Sequence, residues 1–91
     1  MKKEKTIWIF TGSQSRHPSG VFTSFKKAEE WIRANNLEGT LSEFPLDEGT
    51  YDHALRNNLF IPKHDGQRKP SFIGDFSPRL SHFHYGDDNI E

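Results

Sequence analysis

The sequence predicts a small α+β domain built on a mainly antiparallel sheet of three or four strands with two helices packed on it. Three observations predict it. Residues 6–11 are β-branched or aromatic throughout, residues 25–32 carry apolar side chains at helical spacing, and clusters of glycine, proline and asparagine separate such segments. The segments follow the order β-β-α-β-α-β, and we expect the 91 residues to form a single domain.

The first predicted strand, residues 6–11, is apolar on both faces. Its apolar side chains alternate between them: Ile7, Trp8, Ile9 and Phe10. Such a strand lies in the middle of a sheet, or has a helix against one face and a partner against the other. Residues 12–20 are rich in turn formers and residues 21–23 return as a short strand. We therefore expect a hairpin with a loop longer than the usual two to five or so residues.

Ser24 is placed to cap the first helix, which runs to about residue 35. The residues of its apolar stripe recur at helical spacing: Phe25, Ala28, Trp31 and Ile32. Asn36 can adopt the left-handed conformation that ends a helix, after which the next residue folds back on the last turn. The same ending at residues 57–59 predicts the stop of a second helix over about residues 51–57.

The remaining segments are less regular. Residues 39–44 are expected to return as a third strand and residues 72–76 to form the last one, with Gly74 marking a bulge. Residues 81–85 fit a strand or a turn. Three segments are expected to be flexible or frayed: residues 1–5, 62–70 and 87–91.

Composition excludes several classes of protein. Lysine and arginine number 12 against 13 aspartate and glutamate, so the chain lacks the basic surface of a nucleic-acid binder. No stretch approaches the roughly 18 consecutive apolar residues of a membrane span. There is no cysteine, which removes disulfides and thiolate sites and favours a cytoplasmic protein.

Aromatic residues dominate the apolar content, with eight Phe, two Trp and two Tyr. Each ring buries about 150–250 Å², so a dozen of them can form a small core. A sheet with one helix layer leaves its other face open unless the second helix and the C-terminal segment cover it. Rings left open would form a recognition surface for a protein partner or a second copy, and the candidates are Trp8, Phe10 and Tyr51.

His82 and His84 are the most suggestive pair for metal binding. In an extended segment both imidazoles point to one face, about 6–7 Å apart, within reach of one divalent metal such as zinc. The candidates to complete a two-histidine, one-carboxylate set are Asp52, His53, Asp87 and Asp88. The alternative is that both histidines are packing or surface groups and that the protein has no cofactor.

The loop at residues 12–20 is a candidate anion site, since it follows a strand and carries Ser13, Arg16 and His17. It lacks the Gly-Lys-Ser/Thr of a P-loop, and it returns into a strand, so no helix N-terminus faces the anion. An ordinary hairpin loop is the alternative.

Catalytic motifs are missing from the sequence. There is no Gly-x-Ser-x-Gly elbow, and a Ser/His/Asp triad is defined by geometry that spacing alone does not give. Adjacent carboxylates at residues 47–48 and 87–88 are typical of turns and tails. We therefore expect that the protein is not an enzyme.

Five short motifs follow one another in a specific order: W-I-F-T-G at 8–12, P-S-G-V-F at 18–22, A-E-x-W-I at 28–32, D-E-G-x-Y-D at 47–52 and H-x-H-Y at 82–85. As an ordered set they resemble a family of small, uncharacterised bacterial proteins. The resemblance covers roughly residues 7–86 and implies no activity.

Two functions stay open. The first is a non-catalytic interaction module that binds a protein partner or itself through an aromatic surface. The second is a small metal- or anion-binding domain that uses His82, His84 and a nearby carboxylate.

Overall fold

The computed structural model describes residues 5–86, which form one sheet of four strands and four short helices. The strands are β1 Thr6–Gly12, β2 Pro18–Phe22, β3 Gly39–Pro45 and β4 His82–Tyr85. The helices are α1 Phe25–Ala34, α2 Thr50–Arg56, the 3₁₀ helix Asp65–Arg68 and α3 Pro70–Gly74. The predicted α+β class with an antiparallel sheet is confirmed.

The strand order is β2-β1-β3-β4, and every neighbouring pair is antiparallel. β1 therefore lies inside the sheet, as its two apolar faces predict. Helix α1 contacts β1 and β2 and covers one face of that half of the sheet. Trp8 and Phe10 point toward it, and the Phe10 ring lies 5.7 Å from that of Trp31 between centroids.

The core under α1 combines the sheet with the helix stripe. Its fully buried members come from β1, β3 and α1: Phe10, Ala28, Ile32 and Leu41. Half-buried rings surround them, among them Trp31, which stands 5.4 Å from Phe22 on the return strand. The aromatic stripe of α1 thus packs against both strands of the hairpin.

Both ends of α1 follow the predicted chemistry. The Ser24 hydroxyl accepts a hydrogen bond from the Lys27 N–H at 3.2 Å. Asn36 adopts a left-handed φ of 53°, and the Leu37 N–H donates to the Ile32 carbonyl at 3.0 Å. These bonds satisfy backbone groups that every helix end leaves open.

The second helix ends in the same way. Asn58 has a φ of 58°, and the Leu59 N–H donates to the Ala54 carbonyl at 2.8 Å. The two Asn-Asn-Leu segments are therefore one helix stop used twice, as predicted.

A second aromatic cluster lies beyond the sheet and joins α2 to α3. It consists of four rings: Tyr51, Phe60, Phe72 and Phe76. The Tyr51 hydroxyl donates to the Gln67 carbonyl at 2.7 Å, and the Thr50 hydroxyl donates to the Phe76 carbonyl at 2.7 Å. Rings and hydrogen bonds together hold residues 60–76 against α2.

The structure corrects the last predicted strand, since residues 72–76 do not pair in the sheet. Residues 70–74 form α3 instead. Pro70 occupies the first helical position, where its fixed φ suits a helix and its missing N–H costs no bond. Phe72 and Phe76 then both reach Tyr51, with ring centroids at 6.1 and 5.4 Å. Part of the expected loop at 62–70 is also helical, at Asp65–Arg68.

The hairpin loop is shorter than predicted, because β2 begins at Pro18 and leaves residues 13–17 as the loop. Pro18 pairs with Thr11 after a register shift in the pairing of β1 with β2, which leaves Ser19 unpaired. A proline is tolerated there because β2 is an edge strand, on which a missing N–H leaves no inner ladder bond unmade.

Candidate functional site

Strand β4 forms one edge of the sheet, and half of its backbone faces outward. The Glu43 N–H donates to the Ser81 carbonyl at 2.9 Å, and the register continues through Leu41 opposite Phe83. In an antiparallel pair, hydrogen-bonded and non-hydrogen-bonded residue pairs alternate. The N–H and C=O groups of His82 and His84 therefore point away from β3, toward the open edge.

The two faces of β4 differ in chemistry. Phe83 lies opposite Leu41 and shares the face that α1 covers elsewhere. His82 and His84 lie on the other face, opposite Ser42 and Thr40. One short edge strand thus presents aromatic rings on one side of the sheet and imidazoles on the other.

Three rings form an aromatic patch where α1 stops covering the sheet: Trp8, Phe25 and Phe83. Their centroids are 5.1 Å apart for Trp8 and Phe25, 5.1 Å for Phe25 and Phe83, and 6.1 Å for Trp8 and Phe83. Phe83 is 43% exposed, and the other two rings are half-buried. The patch reaches the surface beside the open edge of β4.

The predicted aromatic surface is only partly present. Phe10 is 1% exposed in the core under α1, and Tyr51 is 5% exposed in the second aromatic cluster. Neither ring is available at the surface, because Phe10 lies in the buried core cluster and Tyr51 is enclosed by the other rings of its own cluster. Of the three predicted residues, Trp8 alone reaches the aromatic patch, where it lies beside Phe83, a residue that was not predicted.

Tyr85 ties the end of β4 to helix α1. Its hydroxyl donates to the Glu29 carboxylate at 3.1 Å, and the Arg33 guanidinium lies 5.8 Å from the centre of its ring. Burial raises the pKa of the Tyr85 hydroxyl, and the hydrogen bond to Glu29 raises it further. The helix therefore fixes one end of the edge strand.

The histidine pair lies open on the face away from α1. The rings of His82 and His84 are 5.2 Å apart between centroids and stand nearly perpendicular. The Thr40 hydroxyl lies 3.2 Å from His84 Nδ1. Both rings are exposed, so a ligand from solvent can reach them.

The predicted carboxylate does not join this pair in the described part of the chain. Asp52 lies on α2 and is exposed, and within residues 5–86 no three histidine, aspartate or glutamate side chains come together as a metal site. Asp87 and Asp88, the other predicted donors, lie outside the described residues.

Two backbone N–H groups of the predicted anion loop are already used in hydrogen bonds. Ser13, Arg16 and His17 line one shallow depression of about 570 Å³. The Ser13 N–H already donates to the Glu38 carbonyl at 2.9 Å, and the His17 N–H donates to the Ser15 hydroxyl at 3.2 Å. Glu38 also lines the depression, and its carboxylate repels an anion. The geometry does not favour an anion site.

None of the helices described between residues 5 and 86 has the length and apolar character to cross a membrane.

Comparison with known proteins gives one match. A family model described as a domain of unknown function (DUF7710) matches residues 7–91. The chain matches no curated protein and no solved structure. The expected resemblance to an uncharacterised family is confirmed, and a bacterial origin stays a prediction.

Proposed function

The chain belongs to the DUF7710 family of unknown function, and we propose that it is a non-catalytic interaction module that pairs with a second copy of itself along the edge of β4. The observation that carries the proposal is the open edge itself: the backbone groups of His82 and His84 face outward, beside a 43% exposed Phe83.

The two edges of the sheet differ in their protection. An open edge strand is a template for another strand, and proteins block it with proline, bulges or charged side chains. The β2 edge has Pro18 and a register shift in its pairing with β1. The β4 strand, His-Phe-His-Tyr, has no proline and no lysine, aspartate or glutamate. Because β4 lacks these protective residues, its open edge favours pairing with a strand of another chain.

A second copy fits this edge in one register. With a two-fold axis at Phe83, His82 of each copy lies opposite His84 of the other. Those are the residues whose backbone groups point outward, so each of the two pairs exchanges two hydrogen bonds. Phe83 then faces its own copy as a non-hydrogen-bonded pair, in which side chains approach most closely.

The side chains of this arrangement are compatible on the face of the sheet that α1 covers. The two aromatic patches merge on the α1 side, where contacts between rings add about 0.5–1.5 kcal/mol beyond area burial. The net charge of −1 per chain opposes association little. Since β4 is only four residues long, we expect dissociation at about micromolar concentration or above.

Charge substitutions at the two-fold axis test the pairing. Phe83→Lys and Phe83→Glu each place like charges directly opposite, which disfavours an antiparallel pair. Each variant alone should be a monomer in sedimentation velocity at concentrations where the unmodified chain is a dimer. A one-to-one mixture should regain the dimer, because lysine then faces glutamate.

The matched control is Val21→Lys, which places a charge on the opposite edge at a side chain that is 62% exposed. It should leave the dimer unchanged. Circular dichroism of each variant shows that the fold persists. A monomeric unmodified chain at millimolar concentration, or a mixture that stays monomeric, contradicts the proposal.

A further inference from the structure

We infer that His82 and His84 chelate one divalent transition-metal ion, of the class of Zn²⁺, Ni²⁺ and Cu²⁺, with water completing the coordination. The site needs only one chain, so it does not rest on the proposed pairing. It also differs from the expected two-histidine, one-carboxylate set, since Asp52 takes no part.

The separation of the rings fits a shared ion. With metal–nitrogen bonds of about 2.0–2.1 Å and tetrahedral angles, two imidazoles on one ion have centroids about 5 Å apart. The centroids of His82 and His84 are 5.2 Å apart. The strand sets this spacing, because alternate residues of β4 point to the same face.

Thr40 orients one of the ligands. Its hydroxyl lies 3.2 Å from His84 Nδ1. When Nδ1 carries the proton and donates to this oxygen, the Nε2 lone pair is left for the metal. Metal-binding histidines use their second ring nitrogen in this way, which fixes both the tautomer and the ring orientation.

The charges around the pair are compatible with a cation. Glu38 lines the depression of about 510 Å³ that holds His84, and its carboxylate attracts a divalent ion. Arg79 lines the depression beside His82, but its guanidinium lies 4.4 Å from the centre of the Phe76 ring. Its Nη1 also donates to the Ser77 hydroxyl at 3.1 Å. The Arg79 guanidinium is therefore held by Phe76 and Ser77 rather than by His82.

Calorimetric titration of the full chain, freed of metal by chelation, tests the site. We expect Cu²⁺ to bind more tightly than Ni²⁺ or Zn²⁺, following the general order for nitrogen ligands. Mg²⁺, which requires oxygen ligands, should not bind. His82→Gln and His84→Gln should each lower the affinity for Ni²⁺ at least tenfold.

Thr40→Val should lower the affinity for Ni²⁺ by about tenfold without removing a metal ligand. The matched control is His64→Gln, which removes another exposed imidazole and should change nothing. NMR should show the ring signals of His82 and His84 shifting together with Zn²⁺. Absence of binding at millimolar metal, or an equal loss in His64→Gln, overturns the inference.

The number of ions bound separates this inference from the proposed pairing. If two edges pair, the two imidazoles of the second chain take the place of the coordinating water, so one ion per two chains supports both proposals. One ion per chain supports the histidine chelate and counts against the paired edge. Loss of binding in the histidine variants with the dimer intact shows that pairing does not depend on metal.

Discussion

Truncation of Tyr51 tests whether the second aromatic cluster stabilises the whole fold. Tyr51 is 5% exposed on α2 and contacts three rings at centroid distances of 5.4 to 6.1 Å: Phe60, Phe72 and Phe76. Its hydroxyl donates to the Gln67 carbonyl at 2.7 Å. Tyr51→Ala removes all of these contacts and leaves a cavity between α2 and α3.

The expected loss follows from these contacts. Removing a buried aromatic side chain costs about 3–5 kcal/mol. A small domain has about 5–15 kcal/mol of stability in total, so this loss takes a large share of it. Tyr51→Phe keeps the ring and loses one hydrogen bond, at about 1 kcal/mol. For a chain of this length, each kcal/mol lowers Tm by about 4–8 °C.

Urea unfolding followed by circular dichroism and by tryptophan fluorescence measures both variants. Trp8 lies on β1 and Trp31 on α1, outside the second aromatic cluster. Their fluorescence therefore responds to the loss of Tyr51 only if the sheet and this cluster unfold together. Ile61→Ala is the control, because Ile61 is 69% exposed and should change stability by less than about 0.5 kcal/mol. A Tyr51→Ala loss below about 1 kcal/mol in the tryptophan signal would refute the reasoning.

Three further predictions concern pH and backbone conformation. The hydrogen bond from Arg56 lowers the pKa of Glu48 below its ordinary 4.5. The stabilisation from this ion pair is therefore full above pH 4.5 and is lost as the pH falls through the lowered pKa. The stability difference between the unmodified chain and Glu48→Gln should vanish in acid unfolding. Burial and the hydrogen bond to Glu29 raise the pKa of Tyr85 above 10.0. The stabilisation from the Tyr85–Glu29 hydrogen bond is therefore full below pH 10 and is lost as the pH rises through the raised pKa. In Glu29→Gln the Tyr85 ring signals in NMR should titrate at lower pH. Asn36→Val should destabilise by about 1–2 kcal/mol in thermal unfolding, since a β-branched residue disfavours a left-handed φ, whereas Asn36→Gly should be nearly neutral.

Features that depend on neighbouring residues could be predicted from the sequence. The Ser24 cap and the Asn36 and Asn58 stops each involve residues within one or two turns of helix, and their bonds form as expected. The interior position of β1 follows from its two apolar faces. In each case the chemistry that decides the structure lies inside the segment.

Features that depend on distant contacts could not be predicted. Residues 72–76 carry phenylalanines four apart, which fit a helix as well as a strand, and the contacts with Tyr51 some 20 residues earlier decide between them. Exposure of the aromatic patch likewise requires the pairing of Phe83 with Leu41. Spacing predicted the common face of His82 and His84, but only the packing of the whole fold could show that Asp52, on α2, does not join them.

Amide hydrogen exchange at His82 and His84 tests the proposed pairing most directly. In a single chain both N–H groups face solvent at the edge of β4, and in the paired arrangement both donate to the second copy. NMR should show their protection rising with protein concentration, while amides of the opposite edge strand β2 keep theirs. Exchange at both positions that is fast and independent of concentration would contradict the account.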